Sequence, residues 1–163
     1  VAGAATPAIA ALLVDGADHE ILRYQHDPRA ASFGDEAVAE LAAAHGLAPA
    51  QIFKTLVLAV PHGLAVAVLP VPSKLSLKAA AAALGVPKAA MADRAAAERS
   101  TGYVLGGISP LGQRRALPTV IDSSALEWDR VLCSAGKRGW DVALAPGDLV
   151  RLTEGVVADI RAI

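Results

Sequence analysis

Groups able to act as nucleophile, base or charge stabiliser are sparse in this sequence. The densest candidate for a site is RSTGYVLGGISPLGQRR at 99–115. A glycine pair, Gly106-Gly107, is followed by Ser109, Pro110, Gly112 and the arginines Arg114 and Arg115. A hydrolase nucleophile elbow reads G-x-S-x-G and draws part of its oxyanion hole from the N–H after the serine. Pro110 has no N–H to give, the glycine falls one position late at Gly112, and all four histidines precede residue 63. Ser109 is therefore rejected as a nucleophile. Neither G-x-G-x-x-G nor G-x-x-x-x-G-K-[ST] occurs, which removes the common phosphate loops. What remains is either a glycine-permitted turn whose free main-chain groups face a ligand, or a plain turn between strands.

Lys54 stands near the start of IFKTLVLAV, the most apolar strand pattern in the chain. Its ammonium points outward to water or inward to a cavity. Inside, it could pair with a phosphate or polarise a carbonyl, and burial would lower its pKa. Residue types leave both open. Asp141 follows Trp140 beyond a K-R-G turn, where it could balance Lys137 or Arg138 instead of doing chemistry. His19, His26, His45 and His62 show no H-x-x-x-H spacing, and the single Cys133 has no partner, so neither a zinc site nor a disulfide framework is expected. Cys133 lies in an apolar strand and reads as a small buried hydrophobe. Tyr24 and Phe33, two of only six aromatics, flank Asp27-Pro28 and either pack together or wall a pocket.

The elements that must hold these residues follow from caps and periodicity. Thr6-Pro7 opens a helix that Gly16 stops, and Ser32 opens another that ends at Gly46. Ser76 and Asp93 cap two more, over LKAAAAALG and DRAAAERS, and PGDLVRLTEG reads as a late helix. Strands are expected at 20–25, 52–60, 64–71, 118–122, 130–134, 140–144 and 156–160, with 135–139 as a turn. Interspersed helices and strands with several short turns predict one mixed α+β domain, which 163 residues can fill. The apolar runs are far short of a membrane span, and the first residues carry no basic segment of the kind that opens a signal peptide. A lone cysteine fits a reducing cytosol. The net charge of −1 hides an asymmetry: residues 1–50 hold two basic and seven acidic side chains, whereas 51–140 hold eleven basic and five acidic. A basic middle suits an anionic ligand on one face without general adhesion to nucleic acid.

Longer motifs narrow this reading. HDP at 26–28, FGDE at 33–36, FKTLV at 53–57, RSTGYVLGGISPLGQ at 99–113, LPTVID at 117–122 and SAGKRGWDVALAPGDL at 134–149 closely resemble the YbaK/EbsC family, from Thr6 to Ile160. The resemblance implies a compact α+β domain with a strongly curved mixed β-sheet and flanking helices, related to the editing domain of bacterial prolyl-tRNA synthetases. It implies an aminoacyl-tRNA deacylase that edits cysteine-charged tRNA(Pro) in trans, in partnership with prolyl-tRNA synthetase, with no cofactor and no metal. It further implies attack on the ester by the substrate's own cysteine thiol, releasing a cyclic thiolactone. By motif, Lys54, Gly106 and Asp141 take the family's functional positions: Lys54 at the ester or terminal nucleotide, Gly106 at the aminoacyl group, Asp141 at the substrate ammonium. Tyr24, Phe33, Thr55, Gly107 and Ser109 are implied substrate contacts, and Arg114, Arg115, Lys137 and Arg138 are expected around the tRNA. Two departures are a longer helix after FGDE and a cysteine at position 133. The family also contains alanyl-tRNA(Pro) editors and broader enzymes. A non-catalytic tRNA or synthetase adaptor, or a small-molecule protein with an anion pocket, remains a competing reading.

Overall fold

In the computed structural model, residues 5–25, 27, 29 and 32–163 are described. His26 and Pro28 of the HDP motif, and residues 1–4 of the N-terminal segment, lie outside them.

Helix starts follow side-chain oxygens. Thr6 accepts from the Ile9 N–H at the head of α1 (Pro7–Asp15), and Ser32 from Asp35 at α2 (Phe33–His45). Ser76 accepts from Ala79 at α3 (Leu77–Leu84), and Asp93 from Ala96 at α4 (Arg94–Thr101). Each bond satisfies a first-turn N–H that the helix itself leaves open. The last helix, α5 (Pro146–Thr153), has no side-chain cap and begins with proline, whose missing N–H costs nothing there.

Among the described residues, eight strands form two sheets. β1 (His19–Arg23), β7 (Trp140–Leu144) and β6 (Val131–Lys137) make an antiparallel sheet in the order β1-β7-β6. The second is mixed, in the order β4-β2-β3-β5-β8, from β2 (Phe53–Val60), β3 (Gly63–Pro70), β4 (Ala90–Met91), β5 (Thr119–Asp122) and β8 (Val156–Ala158). β2 and β3 pair as a full hairpin from Phe53↔Pro70 to Val60↔Gly63, while β3, β5 and β8 run parallel. β3 is buried over its last six residues, as a central strand covered on both faces must be. The mixed α+β class is as the sequence predicts, but its curved sheet is split. A single parallel bridge, Ile52↔Leu132, joins the halves.

Between the sheets sits the main core, where Phe53, Val57, Val66, Val68 and Ile121 meet Val131, Cys133, Val142 and Leu144, closed by Leu12 of α1 and Leu149 of α5. α2 packs Ala37 and Leu41 on Leu22, Ile52, Leu132 and Ala143. α3 covers the far face of the larger sheet through Ala80, against Leu58, Leu69, Val120 and Ile160.

Three local expectations change. The segment 135–139 is not all turn: β6 continues to Lys137 across an irregularity between Ser134 and Lys137. Gly136 at φ 97 permits this bulge, leaving Arg138-Gly139 as the tip. β4 has two residues and carries no period for a sequence pattern to register. A 3-10 turn over Ser123–Glu127 follows Asp122, whose buried carboxylate accepts from the Ser124 N–H and hydroxyl and from the Ile160 N–H.

Gly112 ties the glycine-rich loop to α1. A Cβ there would collide with the Pro7 carbonyl oxygen, and its φ is 63. Backbone strain and forced overpacking each cost about 1–3 kcal/mol. Gly112→Ala is expected to lose about 3 kcal/mol of stability, read as a lowered denaturation midpoint at unchanged m-value; a shift below a tenth of that would show that the loop and α1 are not locked together.

Candidate active site

A cavity of about 540 Å³ opens among the start of α2, the first half of β2, the Leu105-Gly106 turn and the β6–β7 hairpin. Ile52, Phe53, Lys54, Thr55 and Leu56 all line it. Side chains alternate across a strand, so five consecutive residues can share one space only where the strand presents its edge. The pairing supplies that edge: β4 meets only Leu58 and Ala59 of β2, and Ile52 turns away to β6. No described strand pairs with the edge from Phe53 to Leu56.

Lys54 therefore faces the cavity. Its Nζ donates to the carbonyl oxygens of Val71 at 3.2 Å and Ser73 at 2.7 Å, within the turn that follows β3. An ammonium has three N–H donors, so one remains for a ligand. Burial lowers its pKa, and the nearby Asp35 carboxylate opposes that shift. Thr55 Oγ1 is buried without a hydrogen-bond partner.

Asp141 lines the cavity from β7, opposite Leu22 of β1 and Ser134 of β6. It is 5% exposed. No described residue hydrogen-bonds or ion-pairs with its carboxylate. Burial pushes its pKa from the ordinary 3.8 up to about 7. Tyr24, half-buried in the same wall, is pushed up to about 12, first by burial and then by the charge of Asp141.

The glycine pair forms the third wall. The Gly107 N–H donates to the Val104 carbonyl at 2.9 Å, closing a four-residue turn with Gly106 third at φ 88. A positive φ at that position is the type II signature and selects glycine. Space selects it too, since a Cβ on Gly106 would lie 2.7 Å from the Phe33 ring. Among the described residues neither the N–H nor the C=O of Gly106 has a hydrogen-bond partner.

The fold thus brings together Tyr24, Phe33, Lys54, Thr55, Gly106 and Asp141. It places the other candidates elsewhere. Ser109 is fully buried beneath the loop, its Oγ accepting from the Leu111 N–H at 3.1 Å, and is not in the cavity wall. Gly107 is packed against the backbone of Lys137 and Arg138. Arg138 reaches the cavity rim, its guanidinium 4.6 Å over the Phe33 ring. Lys137 lies over Trp140, on which Arg23 also stacks at 4.1 Å. Arg114 and Arg115 are exposed beside the end of α4, their N–H groups bonded to the Thr101 and Ser100 carbonyls. Sequence reasoning missed Ser134, Asp35, Val71 and Leu105 as lining residues. Ser134 and Asp35 lay inside the SAGKRGWD and FGDE motifs, which was the available signal.

Chemically, the cavity combines Lys54 Nζ, a carboxylate and a peptide unit that have no partner among the described residues beyond the Val71 and Ser73 carbonyls on the lysine. It suits a polar ligand carrying a cation at one end and an electron-rich carbonyl or phosphate at the other.

The family described as Aminoacyl-tRNA editing domain matches residues 35–152. The chain belongs to this editing-domain family. The protein EbsC of Enterococcus faecalis, provisionally named a Cys-tRNA(Pro)/Cys-tRNA(Cys) deacylase, is 40% identical over 116 residues, 71% of each chain. A solved structure assigned provisionally as a trans-editing enzyme for prolyl tRNA synthetase superposes with a TM-score of 0.84 at 24% identity, over 100% of this chain and 99% of that one. A structure of a hypothetical protein gives 0.78 at 26% identity, over 93% and 96%. The editing-domain match begins at Asp35, so Tyr24 and Phe33 of the cavity wall precede it.

The raised Asp141 pKa fixes a pH dependence. Its proton is held in the folded chain at pH values where the unfolded chain has released it, so stability is full below about pH 4, declines as pH rises, and levels off above about pH 7. Three pKa units correspond to about 4 kcal/mol. Asp141→Asn should remove this decline and exceed the parent by about 4 kcal/mol at pH 8, with the advantage gone at pH 4. Parallel stability curves for the two proteins across that range would show that the carboxyl titrates normally.

Proposed function

We propose that the chain is a trans-acting aminoacyl-tRNA deacylase that clears cysteine from tRNA(Pro), with the substrate's own thiol as nucleophile. One observation carries this reading: among the described residues, the cavity holds groups that stabilise charge but no activated protein nucleophile. Ser109 and Cys133 are fully buried away from it, and burial drives the Cys133 thiol pKa well up. Ser134 Oγ is occupied by the Gly136 N–H. Thr55 Oγ1 has no base bonded to it, and no described histidine lines the wall. Lys54 Nζ is engaged as a donor to two carbonyls and bonds to no described hydroxyl or thiol.

In this reading Asp141 accepts the α-ammonium of the aminoacyl group, which replaces the partner its carboxylate lacks. The Gly106 N–H meets the oxygen that becomes negative as the ester carbonyl is attacked, the kind of fixed donor that contributes most to acyl transfer. The spare proton of Lys54 binds the ester region or the terminal phosphate. The thiol sulfur bonds to the carbonyl carbon, the bond from that carbon to the ribose oxygen breaks, and the thiol proton ends on the ribose oxygen. Water then opens the thiolactone. The protein's contribution is orientation, which for an intramolecular attack supplies a large share of the barrier reduction. The naming of EbsC as a Cys-tRNA(Pro)/Cys-tRNA(Cys) deacylase supports the substrate class.

The test is loss of ester from tRNA(Pro) charged with cysteine, alanine or proline. Cysteine should be released as thiolactone, alanine and proline retained. Lys54→Ala should lower the rate by roughly 100- to 1000-fold, on the scale of a lost charge-stabilising group, with Cys133→Ala close to the parent. Equal release of alanine and cysteine would rule out the thiol mechanism.

Of the four basic residues expected around the tRNA, Arg138 stacks on the cavity-lining Phe33, Lys137 lies over Trp140, and Arg114 and Arg115 stand beside the end of α4. Few phosphate contacts imply weak binding, with an affinity exponent in salt of roughly 0.7–0.9 per contact. Prolyl-tRNA synthetase holding the same tRNA would raise the effective concentration of the charged end. Competition with bulk uncharged tRNA, with and without the synthetase, checks this; tight, salt-insensitive binding by the chain alone would defeat it.

A further inference from the structure

Gly106 has no side chain with which to fix itself, and its N–H and C=O are unbonded among the described residues. Its position must be set by its neighbours. The residue before it, Leu105, is held on both sides of its backbone. Its N–H donates to Glu98 Oε2 at 2.7 Å, and its C=O accepts from Arg138 Nε at 2.7 Å. Both are charge-assisted contacts, the short and strong kind. Glu98 stands on α4 and Arg138 at the β6–β7 tip, so two separate elements grip one residue. Arg138 also covers the Phe33 ring, which is the surface against which Gly106 rests. Leu105 itself is 39% exposed and belongs to none of the three hydrophobic core clusters.

We propose that Glu98 and Arg138 are positioning residues that clamp Leu105 and thereby fix the Gly106 peptide at the cavity wall. The carboxylate of Glu98 is kept ionised for this purpose. The Leu105 N–H is the main reason its pKa is lowered, with Arg94 and Arg138 adding to it. Arg94 sits one helical turn back, its Nε 3.4 Å from the same Oε2 oxygen that accepts from Leu105. The proposal rests on the deacylase reading only for its kinetic arm.

Glu98 gives the cleaner test, because an acidic side chain has no attraction for tRNA phosphate, whereas Arg138 does. The intact protein is compared with Glu98→Ala and Glu98→Gln by amide hydrogen exchange and by steady-state deacylation of Cys-tRNA(Pro). Glu98→Ala should speed exchange at Leu105 about tenfold or more and lower kcat by about 10- to 100-fold, the scale of a small misplacement of a catalytic group. KM should stay within about threefold. Glu98→Gln keeps an oxygen to accept from Leu105 and should recover most of both. Unchanged exchange at Leu105 in Glu98→Ala overturns the clamp whatever the activity. Faster exchange with the parent kcat overturns its role in the reaction. A parent protein that releases no aminoacyl ester sinks the deacylase reading, while the exchange comparison still decides the clamp.

Discussion

Strand β2 is paired along its whole length by β3 but only at its far end by β4, and this incomplete pairing is the constraint on which the site depends. An open strand edge is a liability, because unpaired main-chain groups recruit other chains. Here the edge from Phe53 to Leu56 is roofed by the first turn of α2 and by the Leu105-Gly106 turn, and the space left under that roof is the cavity. The Ile52↔Leu132 bridge makes this possible by passing the chain from one sheet to the other just before Lys54. Had the curved sheet closed without a break, β6 would have paired where Lys54 and Thr55 now line empty space.

Phe33 is the second constraint, and it acts by contact on two sides. Arg138 stacks on its ring, and Gly106 approaches so closely that no Cβ fits. Cation–π stacking of this kind contributes about 0.5–1 kcal/mol where solvent reaches it. That is too little to hold a loop alone, which is why the charge-assisted bonds to the Leu105 backbone matter. The packing of one aromatic thus couples the start of α2, the glycine turn and the hairpin tip. A shift in any of them changes the shape of the cavity wall.

The fold was largely legible because its signals are local. Thr6, Ser32, Ser76 and Asp93 each cap the helix that their chemistry announces, and the alternation around Pro61-His62-Gly63 gives the hairpin. What stayed hidden depends on contacts distant in sequence. β4 is two residues long and owes its existence to β2. The split of the sheet follows from a bridge across eighty residues. The site divides in the same way. Residue types alone left Lys54 undecided between water and cavity, since strand phase does not reveal that an edge will stay open. Gly106 and Asp141 stood out in the sequence, but their implied roles came through motif resemblance and their geometry only with the fold. Glu98 gave no sign: in sequence it is one more helix-surface acid spaced four from Arg94, and only the return of the chain at Leu105 gives it a second partner.

Charge explains why such a site is stable enough to persist yet poised for a ligand. A buried carboxylate without a partner is among the costlier features a fold can carry. Asp141 limits that cost by holding a proton up to about pH 7, so the empty cavity need not contain a naked negative charge. Lys54 meets the complementary difficulty by spending two of its three donors on the Val71 and Ser73 carbonyls. Neither solution is complete, and the two are not spent on each other. A Lys54–Asp141 ion pair would have satisfied both groups and closed the cavity to any zwitterionic ligand. Anchoring the lysine on backbone carbonyls instead keeps the carboxylate available for an ammonium, and an arriving ammonium favours its ionised form. Under the proposed deacylase reading, ligand charge and protein charge would become complete together, which would favour a molecule that carries a cation beside a polar acyl group.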